Sequence, residues 1–153
     1  MKIEGLLQPE DIIPELSAET KEEVLNELAG KVAERNPGFD REALVRVLLE
    51  RERLGSTGIG DGIAIPHGKL KQLDKPRMAF GRSLQGVDFS ALDGRKVHLF
   101  FLLIAPEDAV GVHLKMLARI SRILKDPGVR KVLLAAPDAA AICAAIREQD
   151  SRY

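Results

Sequence analysis

An α/β layer fold, with helices on both faces of a sheet, is what this chain predicts, and three observations carry the reading. Helical and strand periodicities alternate along its length. Residues 97–104 are apolar apart from His98, as befits a central strand covered on both faces. Finally, 153 residues without repeat, low-complexity tract or linker suit one domain, 1–153 with a core of about 17–149, that buries its own interior.

The elements follow in order. Thr20 and Glu23 form a capping box for a helix reaching about residue 34, with Val24, Leu25, Leu28 and Val32 on one face. Asn36-Pro37-Gly38 is a turn, and Asp40 caps a second helix through Arg53 whose Ala43, Leu44, Val47 and Leu48 repeat at helical spacing. Ile63, Ala64 and Ile65 read as a short strand that Pro66 ends, because proline fixes its own φ and lacks a donor. Residues 78–84 and 97–104 read as two further strands, separated by turn chemistry at Gln85-Gly86-Val87-Asp88 and Leu92-Asp93-Gly94-Arg95. A helix over 110–125 stops at Asp126-Pro127-Gly128, and shorter helices over 129–135 and 138–148 close the chain.

Composition excludes several classes of function. Lys plus Arg and Asp plus Glu number 23 each, so no net field favours nucleic acid, and one tyrosine with no tryptophan offers bases little to stack on. A single cysteine makes no internal disulfide, which points to a reducing compartment. The N-terminus has no apolar signal region, and the apolar run 99–105 is too short to cross a bilayer, so a cytoplasmic protein with no membrane insertion is expected. No His-x-x-x-His or Cys-x-x-Cys pair is present, so neither a metal nor a cofactor is expected.

The chemistry concentrates in Gly58-Ile59-Gly60-Asp61-Gly62-Ile63-Ala64-Ile65-Pro66-His67-Gly68, which sets an imidazole down immediately after a short strand. At neutral pH an ordinary histidine is largely an uncharged nucleophile, suited to taking up and handing on a group. Gly68 leaves the ring's surroundings uncrowded. The glycine loop is no nucleotide-binding P-loop, since no Gly-Lys-Ser/Thr follows, and it precedes a strand where a dinucleotide fingerprint would follow one.

With Leu49-Glu50-Arg51-Glu52-Arg53-Leu54-Gly55-Ser56-Thr57 upstream, the block from 49 to 69 resembles the EIIA components of the bacterial sugar phosphotransferase system, fructose/mannitol class. The Gly-Ser-Thr-Gly-Ile-Gly run is most similar to the nitrogen-related subclass, and the likeness extends more loosely from about residue 17 to the C-terminus. The resemblance implies a small mixed sheet, with the site at one edge between the loop of His67, the end of the second helix and the His113 helix. His67 would accept a phosphoryl group on Nε2 from an HPr- or NPr-like phosphohistidine carrier. Arg51, at the family's arginine position, would stabilise the transferring group with its planar fork. Taken alone, Arg51 is also a cation complementing its helix's dipole within a solvated charge run. His113 would bond the phosphoryl group or the nucleophile without being phosphorylated. Ser56 and Thr57 either donate hydroxyls to the phosphoryl oxygens or hold the loop. His98 reads as a core or edge residue, and Cys143 as a small buried hydrophobe.

Two outputs fit the resemblance: a regulatory, nitrogen-related readout that contacts target proteins according to phosphorylation state, or a sugar-specific EIIA passing phosphate to a separate EIIB. The 153 residues hold no fused EIIB, membrane or carrier module, which favours the first. A protein-binding regulator whose histidine is never phosphorylated is the competing class.

Overall fold

In a computed structural model describing residues 2–71 and 73–153, a mixed six-stranded sheet lies between two layers of helices. The chain runs through β1 (Ile12–Ile13), α1 (Lys21–Arg35), α2 (Arg41–Arg53), β2 (Gly58–Gly60), β3 (Ile63–Ala64), β4 (His67–Leu70), β5 (Arg77–Val87), β6 (Val97–Pro106), α3 (Val110–Leu124), α4 (Pro127–Ala135) and α5 (Ala139–Asp150). Both expected N-caps form: Thr20 accepts from Glu23 N–H while Glu23 reaches back, and Asp40 accepts from Ala43 N–H. No helix among the described residues is long and apolar enough to cross a membrane.

β6 is the central strand, and its alternation builds two cores. Leu99, Phe101 and Leu103 face α3, α4 and α5, while Phe100, Leu102 and Ile104 face α1 and α2. Phe101 meets Phe80 edge-on at 5.9 Å, and on the other face Phe100 meets Phe89 at 5.3 Å. The sheet order is β1-β5-β6-β3-β2, with β4 also paired to β6; β5 is antiparallel to β6, and β3 and β4 are parallel to it.

The strand expected over 63–65 ends at Ala64, but a second, unexpected strand begins at His67. Ile63 pairs with Leu99 and His67 with Leu103, the same offset of 36 residues, so β3 and β4 are one strand interrupted at residues 65–66. Pro66 supplies no N–H, but its carbonyl accepts from Leu103 N–H at 3.0 Å and carries the register across the break. His67 is therefore the first residue of a strand and not a loop residue. Likewise the strand expected over 78–84 continues to Val87, where the register against β6 shifts, so residues 85–87 lie in strand and not in a turn.

The glycine loop is also a correction, since Gly58–Gly60 is a strand antiparallel to β3 and the turn that follows is tight. Gly60, Asp61 and Gly62 take φ of 103°, 57° and 77° there, and Asp61 N–H donates to the Asp93 carboxylate. The core also begins earlier than residue 17. Ile3 and Leu7 are fully buried, because the Asp150 carboxylate accepts from the N–H groups of Ile3 and Glu4 and also binds Arg119 of α3. Phe101→Ala should cost about 3–5 kcal/mol by cavity formation beneath α3, and Thr20→Ala only about 1 kcal/mol through its cap, both measurable by urea unfolding.

Candidate functional site

β4 is an edge strand, so helices from both layers can reach the same residues around it. His67 shares the face of its partner Leu103, the α3 side, while Gly68 shares the face of Ile104, the α2 side. A Cβ on Gly68 would stand 2.5 Å from Val47 Cγ1. Gly68 thus serves close packing of β4 on α2, and does not clear space beside the ring as its sequence position suggests. One helical turn past Val47, that close approach brings Arg51 round the sheet edge to the imidazole.

The His67 ring is held at both nitrogens. Nδ1 lies 2.8 Å from the Ile65 carbonyl, and Arg51 Nε donates to Nε2 at 3.3 Å. A carbonyl can only accept and a guanidinium can only donate, so both partners require the same tautomer: proton on Nδ1, lone pair on Nε2. Arg51 is itself steadied by donating Nη1 to the Gly55 carbonyl at 2.8 Å. Burial lowers the His67 pKa below 6.5; the Ile65 bond and the Glu52 charge oppose that fall, and the Arg51 charge adds to it.

His113, on the first turn of α3, sets its ring centroid 5.4 Å from that of His67, tilted by 52°. It is buried, and its Nδ1 has no hydrogen-bond partner among the described residues. Burial, with the charges of His67 and Lys69, pushes its pKa down to about 4, so at neutral pH the ring is uncharged. The site therefore combines one fixed cation with two neutral imidazoles around an accessible edge.

Ser56 and Thr57 sit where the loop is held. Ser56 Oγ donates to the Phe89 carbonyl at 2.9 Å and accepts from Gly58 N–H, and the Thr57 hydroxyl donates to Glu52. Both hydroxyl protons are thus engaged by protein acceptors. His98 rests against the Ser83 carbonyl at 2.9 Å, away from the site, and Cys143 is buried with its thiol pKa raised by burial. Among the described residues no cluster of three or more His, Cys, Asp or Glu is placed to hold a metal.

Glu52 is the residue that sequence reasoning passed over. It reads as part of a solvated Glu-Arg-Glu-Arg run, yet its side chain is only 5% exposed. The signal was helical phase, since Leu44, Leu48 and Glu52 follow one another at four-residue steps along the buried face of α2.

Residues 5–149 match the family described as phosphoenolpyruvate-dependent sugar phosphotransferase system, EIIA 2. A nitrogen regulatory protein of Bradyrhizobium diazoefficiens is 49% identical over 142 residues, 93% of this chain and 92% of that protein. The fructose-specific EIIABC component of the PTS system of Bacillus subtilis is 41% identical over 150 residues, 98% of this chain but 24% of that protein. Among solved structures, the nitrogen regulatory protein IIA-Ntr of Neisseria meningitidis has a TM-score of 0.86 at 31% identity, covering 92% of this chain and 96% of its own.

Two predictions follow from the packing and the burial. Gly68→Ala should destabilise the fold by about 1–3 kcal/mol, because Val47 is stiff at χ1 and cannot turn aside. Val47→Ala should recover most of that loss, which a double-mutant cycle measures. For pH, the unfolded chain protonates His113 near 6.5 and the folded one only near 4. Between those values the unfolded state binds more protons, so stability present above 6.5 is lost as pH falls towards 4. Chemical denaturation of wild type and His113→Gln should show the variant with the shallower slope in that window.

Proposed function

The chain belongs to the EIIA 2 family of the phosphoenolpyruvate-dependent sugar phosphotransferase system, and from that membership we propose that it is a phosphocarrier whose acceptor is His67. The observation that carries this reading is the agreement of both His67 partners on one tautomer, with the Nε2 lone pair free of any proton. Nε2 attacks the phosphorus of a phosphohistidine on an HPr- or NPr-like carrier. The new Nε2–P bond forms as the donor N–P bond breaks, and the electron pair of that bond returns to the donor ring. Attack leaves positive charge on the His67 ring, which the Nδ1–H···O=C bond to Ile65 stabilises.

Arg51 supports the transfer electrostatically. In the free protein it covers the Nε2 lone pair, and a short swing about its long side chain places the fork against the equatorial phosphoryl oxygens. Neutral His113, 5.4 Å away between centroids, can donate a ring N–H to a phosphoryl oxygen. Ser56 and Thr57 act here by holding the turn between α2 and β2.

For output, 49% identity across nearly the full length of a nitrogen regulatory protein supports a regulatory readout in the cytoplasm. A dianionic phosphoryl group at the sheet edge would repel an acidic partner and desolvate poorly against an apolar one. Target proteins would therefore bind the unphosphorylated form. The 41% identity to a fructose-specific component supports a second reading, delivery of the phosphoryl group to a separate EIIB.

Incubation with phosphoenolpyruvate, Enzyme I and an HPr-like carrier should give an acid-labile, base-stable phosphoprotein, and His67→Ala should take no label. Arg51→Lys should keep accepting phosphate but more slowly, by on the order of tenfold to a thousandfold in a rapid-quench assay. Label persisting in His67→Ala would refute the assignment. Growth loss on one specific sugar after gene deletion, with identical partners captured by His67→Ala and wild type, would move the output to transport.

A further inference from the structure

We propose that Glu52 is a positioning residue for phosphoryl transfer, one that fixes the seat and tautomer of the His67 imidazole through Thr57 and Ile65. The inference rests on His67 being the acceptor.

The path is a continuous line of hydrogen bonds. The Glu52 carboxylate accepts from Thr57 N–H at 3.1 Å and from the Thr57 hydroxyl. The Thr57 carbonyl accepts from Ile65 N–H at 3.0 Å, and the Ile65 carbonyl accepts from His67 Nδ1–H at 2.8 Å. Ile65 is thus held at both polar ends, with its side chain buried in the α3-side core and Pro66 stiffening the step that follows. Nothing in this line depends on a long exposed side chain. The same turn is gripped twice, since Arg51 donates to the Gly55 carbonyl while Glu52 takes both donors of Thr57.

A carboxylate only 5% exposed is costly unless it is paired and hydrogen-bonded. Lys21 supplies the charge at 2.9 Å and is itself held 4.7 Å over the Phe89 ring. Because Lys21 satisfies Glu52, the neighbouring anion does not capture Arg51, and consecutive helical residues point apart in any case. Arg51 is left to face His67. A mere helix staple would need one bond to the turn. Beyond its pairing with Lys21, Glu52 takes both donors of the one residue whose carbonyl holds the Ile65 amide.

If Thr57 is released, the Ile65 amide loses its acceptor and residue 65 is freer to turn about its φ and ψ. The Ile65 carbonyl, which belongs to the next peptide, then moves off Nδ1, and the ring returns to a mixture of tautomers. The Nε2–H form has no lone pair to attack with.

The test reads the ring and the rate together. In 15N-labelled wild type at pH 8, the ring nitrogen shifts of His67 should report the Nδ1–H tautomer alone. Glu52→Gln should show both tautomers and accept phosphate more slowly, by on the order of ten- to a hundredfold, the range for a small misplacement of a reacting group. Thr57→Val, which keeps the bulk and removes the hydroxyl, should move both readouts the same way, and Thr57→Ser should restore them. Should Glu52→Gln fail to fold, the Thr57 pair decides. Folded variants with a wild-type tautomer and rate overturn the proposal, as does lowered stability with no change at the ring. If wild type takes no label at His67, the phosphocarrier reading falls instead, and the ring spectra still decide whether Glu52 sets the tautomer.

Discussion

Everything in this molecule is measured from β6. Ten apolar-rich residues from Val97 to Pro106 receive hydrogen bonds from β5 on one side and from β3 and β4 on the other. Their alternate side chains fill two separate cores, one under α1 and α2 and one under α3 to α5. A strand buried on both faces must be satisfied along both edges, because no water reaches its amides. That requirement explains why the broken strand keeps one offset across residues 65–66 when its sequence offers a proline there. The geometry around His67 is inherited from this pairing of amides: the seat of His67 is set by Leu103, and Leu103 by the cores.

The electrostatics of the edge follow from where burial stops. Deep in the fold a cation needs carbonyls or carboxylates around it, as Arg82 has from Pro14, Leu133 and Ala136. At the edge Arg51 has one carbonyl and one imidazole lone pair, so it retains donors for an incoming anion. The two histidines beside it are kept neutral chiefly by burial. One fixed cation and two neutral imidazoles therefore share this edge.

Much of this was legible in the residues. Amphipathic repeats and caps located α1 and α2 to within a residue, since Thr20, Glu23 and Asp40 satisfy local N–H groups and need no tertiary context. The apolar run of β6 was equally plain. Three short strands were not. β1 has two residues, β2 is Gly-Ile-Gly, and β4 is His-Gly-Lys-Leu, none of which carries an alternating pattern of its own. Such segments become strands because a neighbour offers a ladder, which is information held elsewhere in the chain. The same holds for Gly68, whose missing side chain answers to Val47, and for Glu52, whose burial shows only when α2 is read by phase and not by charge.

The interrupted strand has a further consequence for how this edge tolerates change in length. Side chains alternate between faces, so parity along β4 decides that an imidazole looks towards α3 and a bare backbone towards α2. Inserting one residue at the break would press the imidazole onto Val47, and deleting one would set the bare backbone of Gly68 where the ring now stands. The segment therefore works as a ruler with two-residue graduations. No such parity governs the turns around Gly38 or Gly94, which lie outside the strands, whereas it governs every residue between Ala64 and His67.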